Sequence, residues 1–240
     1  MAICLTFDTD HMSEDNLAAW LAETPVPGVG TFFCGEPFKC LEPLAHRVGP
    51  HPDFIKGSDP ATLIAEYRAL FPEARAWRSH SLMHSQPIYL ELFRQNYTCS
   101  SLTERFRDMD IRPVKQPWGV IDFGIYYMDN SDFCNFDGMK NSDYKPFDVR
   151  IIDELFESGR AFDSDLVYVF DFHPIHVALN TLSYETYASE RNNYKANGVR
   201  GKQSEDRYGV RSFYLHLVKA MKRHGVVSEG VEDIAERCRL

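Results

Sequence analysis

Two aspartates stand one residue apart at the end of the first apolar run, Leu5-Thr6-Phe7-Asp8-Thr9-Asp10. On an extended chain alternate side chains face the same way, so Asp8 and Asp10 can look into one site. Used together, one such carboxylate can bind a cation while the other takes a proton. His51, His80 and His84 are the candidate nitrogen ligands, since a catalytic zinc typically has three protein ligands and an open position for water. His80 and His84 bracket the string His-Ser-Leu-Met-His. A helical turn would put both rings on one face, whereas a continuing strand would set them about 13 Å apart, so local structure decides the ligand set. Arg78, Asp122 and His173 are the other polar residues placed in or after apolar runs.

These residues need a scaffold, and the pattern supplies alternating strands and helices. Ala2 to Phe7 reads as a strand, followed by Ser13 as the N-cap of a helix carrying Leu17, Trp20 and Leu21 on one face. Val29 to Cys34 and Arg47-Val48-Gly49 read as the second and third strands, the latter just before His51. Leu63, Ile64, Tyr67, Leu70 and Phe71 fall at helical spacing, then Ala76-Trp77-Arg78, Tyr97 to Ser100 and Val120 to Tyr127 restart extended segments. A helix around Val149 to Phe156 is expected to stop at Gly159, and Leu166 to Phe172 is the strongest strand signal, ending at His173-Pro174. Residues 184–208 are polar and read as an excursion or lid. An amphipathic helix near Ser212 to Arg223 comes after it. Such alternation predicts a parallel α/β barrel or an open doubly wound sheet, with chemistry at the carboxyl ends of the strands.

A 240-residue chain that is 44% hydrophobic can bury one core, and residues 1–240 are read as a single domain. With 26 Lys and Arg against 35 Asp and Glu, the net charge is −9 and no basic run offers a landing strip for a phosphate backbone, so nucleic acid is excluded as a partner. The apolar runs fall short of a membrane span, so no membrane insertion is expected. Six scattered cysteines without a Cys-x-x-Cys pair fit reduced thiols, and with no recognisable leader the expected location is the cytoplasm.

Thr6-Phe7-Asp8-Thr9-Asp10, Gly30-Thr31-Phe32-Phe33, His46-Arg47-Val48-Gly49-Pro50-His51, Trp77-Arg78-Ser79-His80 and Phe170-Asp171-Phe172-His173 together resemble, in strand order, the polysaccharide deacetylase (NodB-homology) family of carbohydrate esterases. The cytoplasmic branch found in O-antigen biosynthesis clusters is the most similar, through His173-Pro174-Ile175-His176-Val177-Ala178-Leu179-Asn180. The resemblance implies a distorted (β/α) barrel of about seven strands and removal of an N-acetyl group from a sugar by a divalent metal, zinc being favoured. It implies Asp8 as catalytic base, Arg78 as the arginine that holds it, Asp10 as the metal aspartate and His173 as catalytic acid.

The family's His-Ser/Thr-x-x-His pair directly follows the third strand. Here that place holds His51-Pro52-Asp53-Phe54-Ile55, and the literal string lies instead at residues 80–84. The preferred ligand set is therefore Asp10, His51 and His80, with His84 as substitute. Either Asp122 or Asp171 can fix the His173 tautomer. Asp122 is preferred because alternation is expected to turn Asp171 away. Trp118, between Pro117 and Gly119, is the candidate for stacking on a sugar ring, and His11 lies close enough to contact substrate. The other readings are a metal-dependent amidase for a non-sugar amide, a phosphoesterase, and a non-catalytic carbohydrate-binding barrel. The phosphoesterase is the weaker because Arg78 is the one cation that stands out.

Overall fold

Seven consecutive buried residues, Ala2–Asp8, form β1, which has a hydrogen-bonded neighbour on each side and therefore reads as one continuous apolar run. The computed structural model describes residues 1–54, 59–134, 145–158, 163, 165–198 and 207–238. After β1 come α1 (Glu14–Glu23), β2 (Thr31–Cys34), β3 (Arg47–Pro50), α2 (Pro60–Leu70), β4 (Ala76–Trp77) and α3 (Gln86–Arg94). Next are β5 (Cys99–Ser100), β6 (Val114–Lys115), β7 (Ile121–Asp122), β8 (Ile125–Met128), α4 (Asp129–Cys134) and α5 (Arg150–Glu157). The chain then forms β9 (Val167–Phe172), α6 (Pro174–Leu179), α7 (Tyr184–Asn197), α8 (Val210–Arg223) and α9 (Val231–Arg237).

Helix starts follow local chemistry. Ser13 accepts from Asn16 N at α1, and Asp59 and Ser85 do the same for Thr62 and Ile88, each ahead of a helix whose first turn contains proline. The helix expected near Ser212 buries Phe213, Tyr214, Leu217 and Met221, as its periodicity requires. Tyr214 packs edge-on to Phe172, and Phe7 stacks on Phe32 at 4.7 Å, so the core lies between β1, β2, β9 and the helices over them. Gly159, the expected end of α5, lies outside the described residues.

Five parallel strands make one sheet in the order β3-β2-β1-β9-β8, and β4-β5-β7-β6 make a second in which only β6 is antiparallel. The edges of the two sheets approach each other. Arg78 N donates to Pro50 O at 3.3 Å beyond β3 and β4, and Ile125 N donates to Thr103 O at 2.8 Å beside β8. Among the described residues these contacts, which include a parallel bridge between Glu104 and Ile125, do not extend into ladders, so what is seen is two adjoining, largely parallel sheets within an α/β fold. The run Val120 to Tyr127, expected as a single strand, is divided by Gly124 between β7 in one sheet and β8 in the other. Gly124 packs so tightly on Arg105 that a β-carbon there would come within 2.9 Å of its Cγ.

The polar segment 184–208 contains α7, which its weak apolar pattern did not announce. Ser183 caps its start, Gly198 in the left-handed region ends it, and Tyr187 and Tyr194 are its buried residues. Among the described residues no helix is long and apolar enough to cross a membrane.

Candidate active site

The carboxyl ends of β1, β3, β4 and β9 bring Asp8, Asp10, His51, Arg78, His80 and His173 together. Asp10 Oδ2 lies 3.2 Å from His51 Nε2 and 3.0 Å from His80 Nδ1, and His173 Nε2 stands 3.9 Å from the same oxygen. Burial by itself would raise the Asp10 carboxyl, but the hydrogen bonds from His51 and His80 outweigh it and hold the group far below the usual carboxylate range. The same contact raises the His80 imidazole.

Asp8 faces the cluster from the inner side, its Oδ2 3.7 Å from His51 Nε2. Arg78 is fully buried and donates from Nη1 to Asp8 Oδ1 at 2.9 Å and to Thr6 Oγ1 at 3.0 Å, and also to Asp171 Oδ1. Its Nε donates to Ser101 O at 3.0 Å and its Nη2 to Ser101 Oγ at 2.8 Å, which fixes the guanidinium plane. One guanidinium thus meets two carboxylates. Burial pushes the Asp171 carboxyl above its ordinary value against the Arg78 charge, and the adjacent Asp8 adds to the push.

Asp129, the first residue of α4, is the partner of His173 and escaped the sequence reading. Its Oδ1 accepts from His173 Nδ1 at 2.7 Å and its Oδ2 from the His173 backbone N–H at 2.8 Å, which turns Nε2 towards Asp10. Burial would lower the His173 imidazole, but the Asp129 charge and hydrogen bond raise it to about 10. The signal that could have found Asp129 is its place directly after the apolar run of β8, as His173 directly follows β9.

Asp122 does not reach His173. Its carboxylate accepts from Ser100 Oγ, Leu102 N and Thr103 Oγ1 at 2.7, 3.0 and 2.6 Å, tying down the loop after β5 that carries Ser101 to Arg78. Nor does Asp171 turn away, because positions 171 and 173 are two apart and share a side; Asp171 accepts from Thr6 Oγ1 at 2.7 Å and meets Arg78.

His84 is outside the cluster. Residues His80–Leu82 form a single 3-10 turn in which Ser81 and Leu82 take left-handed φ of 56° and 53°, so the chain reverses instead of stacking His84 over His80. The His84 ring is exposed and its Nδ1 faces Leu82 O at 3.0 Å. Trp118 is likewise remote: its turn precedes β7, at the amino end of that strand, where it shares a surface pocket with Phe93, Tyr97 and Ile121. His11 borders the site, with a left-handed φ of 64° and its Nδ1 3.0 Å from Lys195 Nζ on α7. Burial, then the Lys195 charge, lowers its imidazole below the ordinary value.

The ligand atoms of Asp10, His51 and His80 all lie within 4.8 Å of one another. Two imidazole nitrogens converging on one carboxylate oxygen make an N/N/O donor set that fits a divalent transition ion, zinc included. The neighbouring groupings Asp129, His173, His176 and Asp8, Asp171, His173 also converge. In those, the acids are already engaged as hydrogen-bond acceptors for His173, Arg78 and Thr6.

Polysaccharide deacetylases share this scaffold. A crystal structure from Bordetella bronchiseptica, described as a polysaccharide deacetylase involved in O-antigen biosynthesis, superposes with a TM-score of 0.69 over 90% of this chain and 89% of that one, at 22% identity. One from Mycobacterium smegmatis, described as a polysaccharide deacetylase, gives 0.56 over 99% and 90% at 14% identity. No curated protein matches the sequence. The model of the WbmS-like polysaccharide deacetylases matches residues 5–191, and the chain belongs to that family.

Proposed function

We propose that this chain is a metal-dependent N-deacetylase that hydrolyses the acetamido group of a sugar or polysaccharide precursor, acting in the cytoplasm on a precursor of O-antigen or another cell-surface polysaccharide. The observation that carries the reading is the convergence of Asp10, His51 and His80 beside an arginine-held carboxylate and an aspartate-held imidazole. Family membership supports the deacetylase chemistry, and on the same ground the two abutting sheets are read as an irregular (β/α) barrel.

Asp10, His51 and His80 would hold the ion, most simply zinc. When bound, a divalent ion supplies Lewis acidity, acidifying water and polarising a carbonyl. Asp8, oriented by Arg78, takes the proton of the water whose oxygen attacks the acetyl carbon. Arg78 contributes a fixed positive charge and, through its Nη1 hydrogen bond to Oδ1, holds that carboxylate in place. His173, protonated through its pairing with Asp129, gives its proton to the sugar nitrogen as the C–N bond breaks, because an amide nitrogen leaves poorly as an anion. The products are acetate and the free amino sugar.

The test is metal content together with acetate release on a panel of N-acetylated sugars and non-sugar amides. Asp8→Asn should keep one divalent ion per chain and lose acetate release by roughly 10²-fold or more. His80→Ala should lose both, while His84→Ala should keep both. Acetate from non-sugar amides alone would replace the sugar by another amide, and acetate release unaffected by Asp8→Asn would remove the mechanism.

A further inference from the structure

Helix α7 is polar and is held at both ends. Thr186 N donates to Ser183 Oγ at its start, Asn16 Nδ2 donates to Tyr194 O near its end, and Gly198 sits where a β-carbon would come within 2.8 Å of Asn16 Oδ1. So anchored, it lies against the candidate site, with the Tyr187 ring 4.4 Å from His176 and 6.5 Å from His11. Arg191 and Lys195 follow Tyr187 at four-residue spacing and therefore share its side of the helix. The Arg191 guanidinium carbon is 5.5 Å from the Tyr187 ring, and Lys195 Nζ reaches His11, the residue after Asp10.

Neither cation has a carboxylate partner among the described residues, in a chain whose net charge is −9. Arg191 is half-buried, and its Nε is buried without a hydrogen-bond partner. Two like charges four residues apart oppose helix stability, and an unsatisfied buried guanidinium N–H is costly, so an anion supplied from outside would relieve both. We infer that Arg191 and Lys195 form an anion-recognising subsite at the rim of the active site, so that the substrate is an N-acetylated sugar that itself carries a negative charge. The charge is either a carboxylate on the sugar or the phosphate of a sugar nucleotide. The sugar half of this statement rests on the deacetylase reading, whereas the anion half rests on α7.

Three probes separate the possibilities by calorimetric titration of the Asp8→Asn chain: methyl N-acetylglucosaminide, the corresponding N-acetylglucosaminuronate, and UDP-N-acetylglucosamine. At least one anionic probe should bind about tenfold tighter than the neutral one. Arg191→Gln should bring that ratio close to one, and so should Lys195→Glu, at an exposed helix position where folding is spared, with binding of the neutral probe unchanged. Preference for the uronate alone assigns the carboxylate, and preference for the nucleotide alone assigns the phosphate. Equal binding of all three, absence of binding, or a ratio that survives both substitutions overturns the subsite. Acetate release by the wild-type chain is read separately: anionic preference without acetate removes the deacetylase reading and leaves the subsite, and acetate without preference does the reverse.

Discussion

Asp129 illustrates how one side chain sets the behaviour of another. Both of its oxygens are committed to His173, one to the ring and one to the backbone, so the imidazole is fixed in orientation and in tautomer. Asp129→Asn keeps the shape and removes the charge. The amide can still meet one of the two donors, but the imidazole loses the interaction that raises it to about 10. The substitution should lower acetate release on the order of 10²-fold while leaving metal content unchanged, since Asp129 is not part of the Asp10, His51 and His80 grouping. Metal content and acetate release measured on the same preparation check this, and an unaltered rate would show that His173 does not act as the acid. Asp8, Asp10, His51, Arg78 and His173 could be picked from sequence because each follows an apolar run or an extended segment. Asp129 stands out from Asp122 only once the break at Gly124 is seen: Val120 to Tyr127 reads as one strand, whereas Asp122 closes β7 and Asp129 opens α4 directly after β8.

Elements fix the distances between these side chains, and β3 and β4 approach closely where they carry His51 and His80. A β-carbon on Gly49 would come within 2.8 Å of Ala76 O and 3.1 Å of the Phe33 ring. Gly49→Ala must therefore push β3 from β4, and with it His51, two residues on, from His80, four residues past Ala76. A cost of about 1–3 kcal/mol is expected, seen as a lower urea midpoint, together with weaker retention of the divalent ion. Loss of stability with full metal affinity would mean that the turn at residues 80–82 holds its ligand independently of the junction. Long buried strands such as β1 and β9 are legible because their apolar runs are continuous. The short strands β4 and β5 still fall within segments that read as extended, but β6, two exposed residues, carries no period, and the left-handed φ of Ser81 and Leu82 has no signature in residues that ordinarily avoid it. That is why the literal His-Ser-Leu-Met-His string suggested a second ligand which the turn directs elsewhere. Helix α7 was missed for a different reason: it is fastened by two tyrosines and two caps and not by an apolar stripe.

Across the whole molecule, the carboxyl ends of the strands bury more acid than base, and the histidines there adjust in opposite directions. The rings of His173 and His176 lie 5.1 Å apart. His173 has Asp129 and is raised to about 10, while His176, buried among Phe133, Tyr187 and Thr181 Oγ1, is pushed down to about 3, chiefly by burial. Two adjacent imidazolium ions would repel, so His173 keeps the charge and His176 stays neutral. The consequences for stability have opposite signs. His173 contributes stability that is fully present below the unfolded histidine value of about 6.5 and is lost as pH rises towards about 10. His176 contributes stability that is present above about 6.5 and is lost as pH falls towards about 3, because over that window the unfolded chain binds a proton that the folded chain refuses. Each pH unit inside the window should cost about 1.4 kcal/mol from this one group. His176→Gln retains a partner for Thr181 and removes the titration, so its stability should fall less steeply than that of the wild type between pH 6.5 and 4. Urea midpoints at several pH values in that range, at constant metal content, give the two slopes. Parallel slopes would show that His176 takes up its proton in the folded state, which its burial between two aromatic rings opposes.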